Sequence, residues 1–211
     1  MDSKEIINIL ERTGALITGS HFVLVSGKHT DAYVNKDKLY PHTGEVSLVG
    51  RMIAEKHKDV DIDVVVGPAL GGIILSQWTA HHLSKLTGKN ILAVYTEKTP
   101  DNNQIFTRGY DALIPGKNIL VVEDTTTTGM SAKKSLMSVK NAGGNVVAVS
   151  VIVNRNPKEV NSEFMGAPFN ALVELKMETY EETDCPLCKN NIPINMTVGH
   201  GKKFMEKHGR Q

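Results

Sequence analysis

The chain is expected to fold as an α/β protein: a central, mostly parallel sheet flanked by helices. Three observations predict this. The runs "DVVVG", "NILAVY", "KNILVVED" and "NVVAVSVIVN" are rich in β-branched and aliphatic residues and lack polar alternation, as strands buried on both faces do. Stretches of helical periodicity lie between them, and strands alternating with helices build βαβ units. No repeat or low-complexity linker divides the 211 residues, so one domain is expected.

Taken in order, Asp2 or Ser3 can cap a first short helix whose Ile6, Ile7, Ile9 and Leu10 form its buried side. "HFVLVSGKHTDAYVN" reads as two short strands around a Ser-Gly-Lys turn. Val46, Val49 and Ile53 are spaced for a helix from Thr43 to Lys58. After "DVVVG" come a Gly-rich turn and a helical stretch from about Ile73 to Leu86, then the "NILAVY" strand. "TEKTPDNNQIFTRGYDALIPG" is polar and long for an ordinary connection, and reads as a mobile loop or a loose β-hairpin. "KNILVVED" resumes the sheet. "SAKKSLMSVKNAGG" is an amphipathic helix closed by Gly143 and Gly144, and "NVVAVSVIVN" is a long strand. Beyond Asn154 regularity fades, and the chain ends in a basic tail expected to be solvated and frayed at its extremity.

Composition narrows the function. With 40% hydrophobic and 22% charged residues a substantial core is possible. A formal net charge of +1 gives no electrostatic footprint for nucleic acid. The N-terminus lacks the basic and apolar regions of a signal peptide, no apolar run approaches a membrane span, and two cysteines cannot build a disulfide framework. A cytoplasmic protein that binds neither nucleic acid nor membrane is expected.

The stretch "VVEDTTTTGMS" carries the chemistry. A strand ends in Glu123 and Asp124, Thr125, Thr126, Thr127, Thr128 and Gly129 form a turn, and Ser131 opens the next helix. Helix-start amides with Thr and Ser hydroxyls suit one phosphate monoester, whereas the two carboxylates suit a sugar diol. A ribose 5-phosphate satisfies both halves. No Gly-Lys-Ser/Thr closes the loop, so it is not a nucleotide-triphosphate loop. A Mg²⁺-holding phosphoacceptor site and a merely polar turn after a core strand are the alternatives.

Hydrophobic strand, two acids, Thr-rich turn, Gly and a small hydroxyl residue in that order resemble the phosphoribosyl diphosphate (PRPP) signature of type I phosphoribosyltransferases. The resemblance implies that Glu123 and Asp124 hold the ribose hydroxyls, and that Thr125 to Gly129 with Ser131 hold the 5-phosphate. "VVVGPALGGIILS" resembles the family's second loop, so Ala69, Leu70, Gly71 and Gly72 would bind pyrophosphate through backbone amides. Along the chain from about Gly19 to Pro157 the match is best to orotate phosphoribosyltransferases. "FVLVSGKHTDAYVN" looks like their N-terminal hood, which implies base contacts from Lys28 and Tyr33, and "VIVNRNP" places Arg155 where an Arg meets orotate. The implied layout is a hood over 1–42, a PRPP-binding core over 43–178 and a tail over 179–211.

The same resemblance implies displacement of pyrophosphate at ribose C1 by a base nitrogen, with Mg²⁺ as cofactor, Asp124, Glu123 and Lys98 as catalytic residues, and a homodimer. No protein side chain is assigned as a metal ligand. Two departures stand out. A Lys common in the pyrophosphate loop is replaced by Gly71, and "TPDNNQIFT" has neither the family's loop Lys nor its His, leaving Lys98 and Arg108 at its edges. A purine or other base-specific transferase, or a PRPP-sensing regulator without turnover, remains open. "CPLC" also looks like tails of some members. Cys185 and Cys188 offer half of a zinc site, with only His200 and His208 following, so they read as a turn carrying two reduced thiols. His81 and His82 read as packing or surface residues.

Overall fold

The computed structural model describes residues 3–24 and 26–209; Met1, Asp2, Val25, Arg210 and Gln211, and with them the Asp2 cap, lie outside the described residues. Helix α1 (Ser3–Arg12) leads into an antiparallel pair, β1 (Leu16–Val23) and β2 (His29–Val34). The core then runs α2 (Thr43–His57), β3 (Val64–Pro68), α3 (Gly71–Thr87), β4 (Leu92–Lys98), β5 (Gln104–Phe106), β6 (Asn118–Thr126), α4 (Met130–Asn141), β7 (Asn145–Asn154), α5 (Ser162–Met165) and β8 (Phe169–Glu174). Two short helices close the chain, α6 (Pro186–Lys189) and α7 (Gly201–Lys207).

The main sheet has the order β5-β4-β3-β6-β7-β8 and is parallel except for β4 with β5. The mostly parallel α/β architecture is thus as expected. Strand β6 shows why its run lacks polar alternation. Leu120 and Val122 join a core with α1, α2 and α3 residues such as Ile9, Ile53 and Leu75, whereas Ile119 and Val121 join the opposite core with Ala132, Leu136 and Val139 of α4. Both faces are covered, so both sets of alternating side chains are apolar.

The polar 96–116 segment is a β-hairpin followed by a 3-10 turn at Tyr110–Leu113. Its order comes from polar contacts: buried Thr96 donates to Gln104 Oε1 at 2.9 Å and meets Ser135 Oγ at 2.7 Å. Ser138 and Lys134 of α4 bond the Gln104 and Asn102 carbonyls. Strand β8 departs from expectation. In its "FNALVE" at the sheet edge only Leu172 and Val173 are buried, so no continuous apolar run announces it.

The tail also departs from expectation. Through residue 209 it is folded against the β1–β2 hairpin: Tyr180 exchanges two backbone hydrogen bonds with His29, each 2.8 Å, and Asn195 N donates to His21 O at 2.7 Å. Phe204 of α7 meets the His29 ring edge-on at 5.0 Å, while Lys202, Lys203 and Lys207 remain exposed. One apolar face of a basic helix is enough to dock it, which charge counting hides.

Candidate active site

Strands β3 and β6 are neighbours at the centre of the sheet, yet the chain continues from β3 towards β4 on one side and from β6 towards β7 on the other. This is a topological switch point, and the crevice outside the carboxyl ends of the two strands is where such sheets bind ligands. Both predicted stretches lie there: 69–72 runs from the end of β3 into the first residues of α3, and 125–131 runs from the last two residues of β6, which the sequence placed in the turn, into the start of α4.

Glu123 and Asp124 at the end of β6 are buried, 7% and 2% exposed. Asp124 Oδ2 accepts from the Tyr40 hydroxyl at 2.9 Å and lies 3.1 Å from Lys36 Nζ, while Oδ1 accepts from Thr125 N at 2.5 Å. Burial lowers the Lys36 pKa, but the Asp124 charge and hydrogen bond outweigh it and the net shift is upward, so the ammonium is secure. Tyr40 is held protonated by burial and by Asp124, and so serves only as a donor to it. Glu123 Oε1 accepts from Asp124 N at 3.0 Å, but burial and then the Asp124 charge push its carboxyl up to about 8. Lys36 and Tyr40 were missed from the sequence. They belong to "KDKLY", a 3-10 turn at Lys36–Lys38 and the two residues after it, between β2 and α2, with no motif of its own, and only the fold brings it to β6.

Thr126 Oγ1 accepts from Gly129 N at 2.9 Å, and Gly129, at φ +72°, lets the chain reverse into α4. Glu123, Thr125, Thr126, Thr127, Thr128, Gly129, Ser131 and the rest of the α4 first turn line a cavity of about 200 Å³. The first amides of a helix lack intrahelical acceptors, so this cavity offers free donors for an anion.

The 69–72 loop is packed tightly. The Ala69–Leu70 peptide is cis. A Cβ on Gly67 would lie 2.1 Å from Gly72 O, and one on Gly71 would lie 1.8 Å from Asp124 Oδ2 and 2.4 Å from the Tyr40 hydroxyl. Glycine at 71, noted above as a departure, therefore has a steric reason: the loop backbone packs against the Asp124 carboxylate.

The hood faces this crevice. Arg155, just beyond β7, donates its backbone N–H to Thr126 O at 2.8 Å and its Nε–H to Met177 Sδ at 3.1 Å. Burial lowers its pKa, and among the described residues no carboxylate pairs with it. It lines a cavity of about 490 Å³ with Lys28 and Thr127, and an adjoining one of about 260 Å³ with Tyr33, Asp124 and Thr125. Lys28 reaches Glu181 of the tail at 2.9 Å, and Tyr33 packs on Phe22 with ring centroids 5.5 Å apart. Lys98 is not gathered with these groups. It stands exposed at the end of β4 and lines none of these cavities. Arg108 is also exposed and pairs with Glu97 at 3.0 Å.

Residues 35–166 match the family described as phosphoribosyl transferase domain. An orotate phosphoribosyltransferase of Thermotoga maritima is 39% identical over 198 residues, covering 94% of this chain and 100% of that protein. One from Caldanaerobacter subterraneus subsp. tengcongensis is 37% identical over 194 residues, 92% and 96% of the two chains. Among solved structures, Mycobacterium tuberculosis orotate phosphoribosyltransferase in complex with Fe(III) dicitrate superposes with a TM-score of 0.67 at 28% identity, covering 83% of this chain and 97% of that one. The same enzyme in complex with PRPP gives 0.63 at 27% identity, with the same coverage. The chain belongs to the type I phosphoribosyltransferase family and is most like its orotate phosphoribosyltransferases.

Proposed function

We propose that this chain transfers the 5-phosphoribosyl group of PRPP to orotate, releasing pyrophosphate and orotidine 5'-monophosphate in pyrimidine nucleotide synthesis. It is a pentosyltransferase. The observation that carries the orotate reading is Arg155. A half-buried guanidinium without a carboxylate partner lines one cavity with Asp124, so an anionic base can sit next to the ribose it joins.

In this reading the base nitrogen attacks C1 of the sugar as the C1–oxygen bond to pyrophosphate breaks. Thr125 to Gly129 and Ser131 hold the 5-phosphate, and the amides of Ala69 to Gly72 receive the departing pyrophosphate. Asp124, positioned by Tyr40 and Lys36, takes the ribose hydroxyls with Glu123. Because Glu123 is pushed up to about 8, the pair brings less than two full negative charges beside the developing cationic sugar. Arg155, Lys28 and Tyr33 orient the base under the hood of residues 1–42, and Lys98 is assigned to the pyrophosphate end.

The carboxylates are engaged by Lys36, Tyr40 and local backbone, so they fit a Mg²⁺ ion carried on PRPP oxygens better than one held directly by side chains. Bound there, the ion would supply Lewis-acid stabilisation of the leaving pyrophosphate. A homodimer and a cytoplasmic location belong to the same proposal. No helix among the described residues is long and apolar enough to cross a membrane.

The test is purified protein with PRPP, Mg²⁺ and orotate, following orotate loss and pyrophosphate release, with uracil and purine bases in parallel. Turnover with orotate alone is expected. Turnover with another base overturns the role of Arg155, and PRPP binding with no turnover overturns the enzyme reading.

A further inference from the structure

Two histidines of the hood and two cysteines of the tail meet at one buried point, far from the PRPP loops in sequence. His21 lies in β1 and His29 opens β2; Cys185 precedes α6 and Cys188 lies within it. One ligand atom from each falls within 4.8 Å of all the others. His21, His29 and Cys185 are each no more than 1% exposed. His21 Nε2 is 2.7 Å from His29 Nδ1, 3.7 Å from Cys185 Sγ and 3.8 Å from Cys188 Sγ, and His29 Nδ1 is 3.3 Å from Cys188 Sγ.

Those separations approach the edges of a tetrahedron. With Zn–S near 2.3 Å and Zn–N near 2.05 Å, the edges are about 3.3 Å for N–N, about 3.6 Å for N–S and about 3.8 Å for S–S. Three of the N–S contacts, at 3.7, 3.8 and 3.3 Å, match within about 0.3 Å, the remaining separations lie within 4.8 Å, and the two rings need to part by about 0.6 Å. Hydrogen bonding prepares one ligand. His21 Nδ1 lies 2.7 Å from the Ile192 carbonyl, which can only accept, so the proton sits on Nδ1 and the Nε2 lone pair points into the cluster. Charge agrees as well: two thiolates and two neutral imidazoles around a divalent cation sum to zero, the condition under which an ionic group tolerates burial.

We propose that His21, His29, Cys185 and Cys188 form a structural zinc site that staples the tail to the hood. Two thiolates and two imidazoles in a closed four-coordinate set select Zn²⁺ and leave no open position for catalysis. Binding takes the metal from solution, releases the two thiol protons and forms two Zn–S and two Zn–N bonds. A reason for the staple is visible in the fold. The hood sheet has only two strands, and an isolated hairpin is marginal in water. The site anchors both ends of its turn, where Leu24, Ser26 and Lys28 wall the cavity that also contains Arg155. The metal would therefore hold the cover of the base site without touching the base.

The test uses the full chain purified without a histidine tag. Elemental analysis is expected to give about one zinc per chain for the wild type and none for Cys185→Ser/Cys188→Ser. Stripped wild-type protein titrated with Co²⁺ is expected to develop tetrahedral d–d absorption and thiolate-to-cobalt charge-transfer bands that saturate at one equivalent. This second readout stands if the double variant fails to fold. A wild type that holds no zinc and gives no thiolate–cobalt bands overturns the proposal, as does zinc that persists in the cysteine variant. Orotate turnover that fails while the cobalt spectrum appears leaves the staple intact and removes only the proposed reaction.

Discussion

Gly71→Ala tests the contact between the loop proposed to bind pyrophosphate and Asp124, proposed to hold the ribose. The added Cβ would lie 1.8 Å from Asp124 Oδ2, and the gap to the 3.4 Å of ordinary van der Waals contact is about 1.6 Å. The loop cannot absorb this by retreating towards β3, since Gly67 and Gly72 are already packed backbone to backbone. Asp124 must turn aside, and a shift of that size breaks its 2.9 Å bond from Tyr40 and its 3.1 Å contact with Lys36. Hydrogen bonds to charged groups are worth roughly 1.5–3 kcal/mol each, and misplacing a reacting group by about 1 Å costs on the order of 100-fold in rate. We expect kcat/KM for PRPP to fall about 100-fold, or about 2.7 kcal/mol of transition-state stabilisation, with overpacking lowering folding stability by roughly 1–3 kcal/mol. The assay is steady-state pyrophosphate release with PRPP varied at saturating orotate. Gly44→Ala in α2 is the control: nothing lies within 4 Å of its Cβ, so it should keep wild-type kinetics. Activity of Gly71→Ala within threefold of wild type would refute the contact as a determinant of the site.

Arg155→Ala should raise the orotate KM or lower kcat/KM by roughly 10–100-fold while PRPP affinity, read by calorimetry, changes little. Lys98→Ala should reduce kcat with little change in orotate KM if the exposed Lys98 reaches pyrophosphate during turnover; unchanged kcat would remove it from the mechanism. Glu123 gives a pH test. Its carboxyl is pushed up to about 8 in the folded chain from an ordinary 4.5, so folding favours its protonated form. That stabilisation is complete below pH 4.5 and is lost as pH rises through 8. Urea unfolding should show the wild type losing roughly 3–4 kcal/mol more than Glu123→Gln between pH 5 and pH 8.5. Parallel slopes for the two proteins would contradict the burial argument.

Much of this protein was legible because its signals are contiguous. Each core strand is a run that must be apolar on both faces, and each loop proposed to bind phosphate directly follows such a strand. Glu123, Asp124, the four threonines and Gly129 therefore stand out as one contiguous candidate, and the structure gathers them around one cavity edge. The hairpin after β4 was half legible. Its polarity excluded a core element, but the partners that order it, Ser135 and Ser138, lie on α4 more than thirty residues away.

What escaped was set by long-range contact. Strand β8 buries only Leu172 and Val173 at an edge and carries no clear pattern. Lys36 and Tyr40 become partners of Asp124 only when the hood segment crosses the sheet, 84 residues from Tyr40 in the chain. "CPLC" read as a turn carrying two reduced thiols, because only His200 and His208 follow it in the chain. The fold brings His21, 164 residues upstream of Cys185, and His29 beside the two thiols. The sequence by itself determined the α/β class and where each strand hands over to the next helix, because strand burial and helix-start geometry are local consequences of residue order. Tertiary structure alone decided the fourfold cluster and the setting of Asp124, because side chains separated by scores of residues meet only after the sheet, hood and tail have packed.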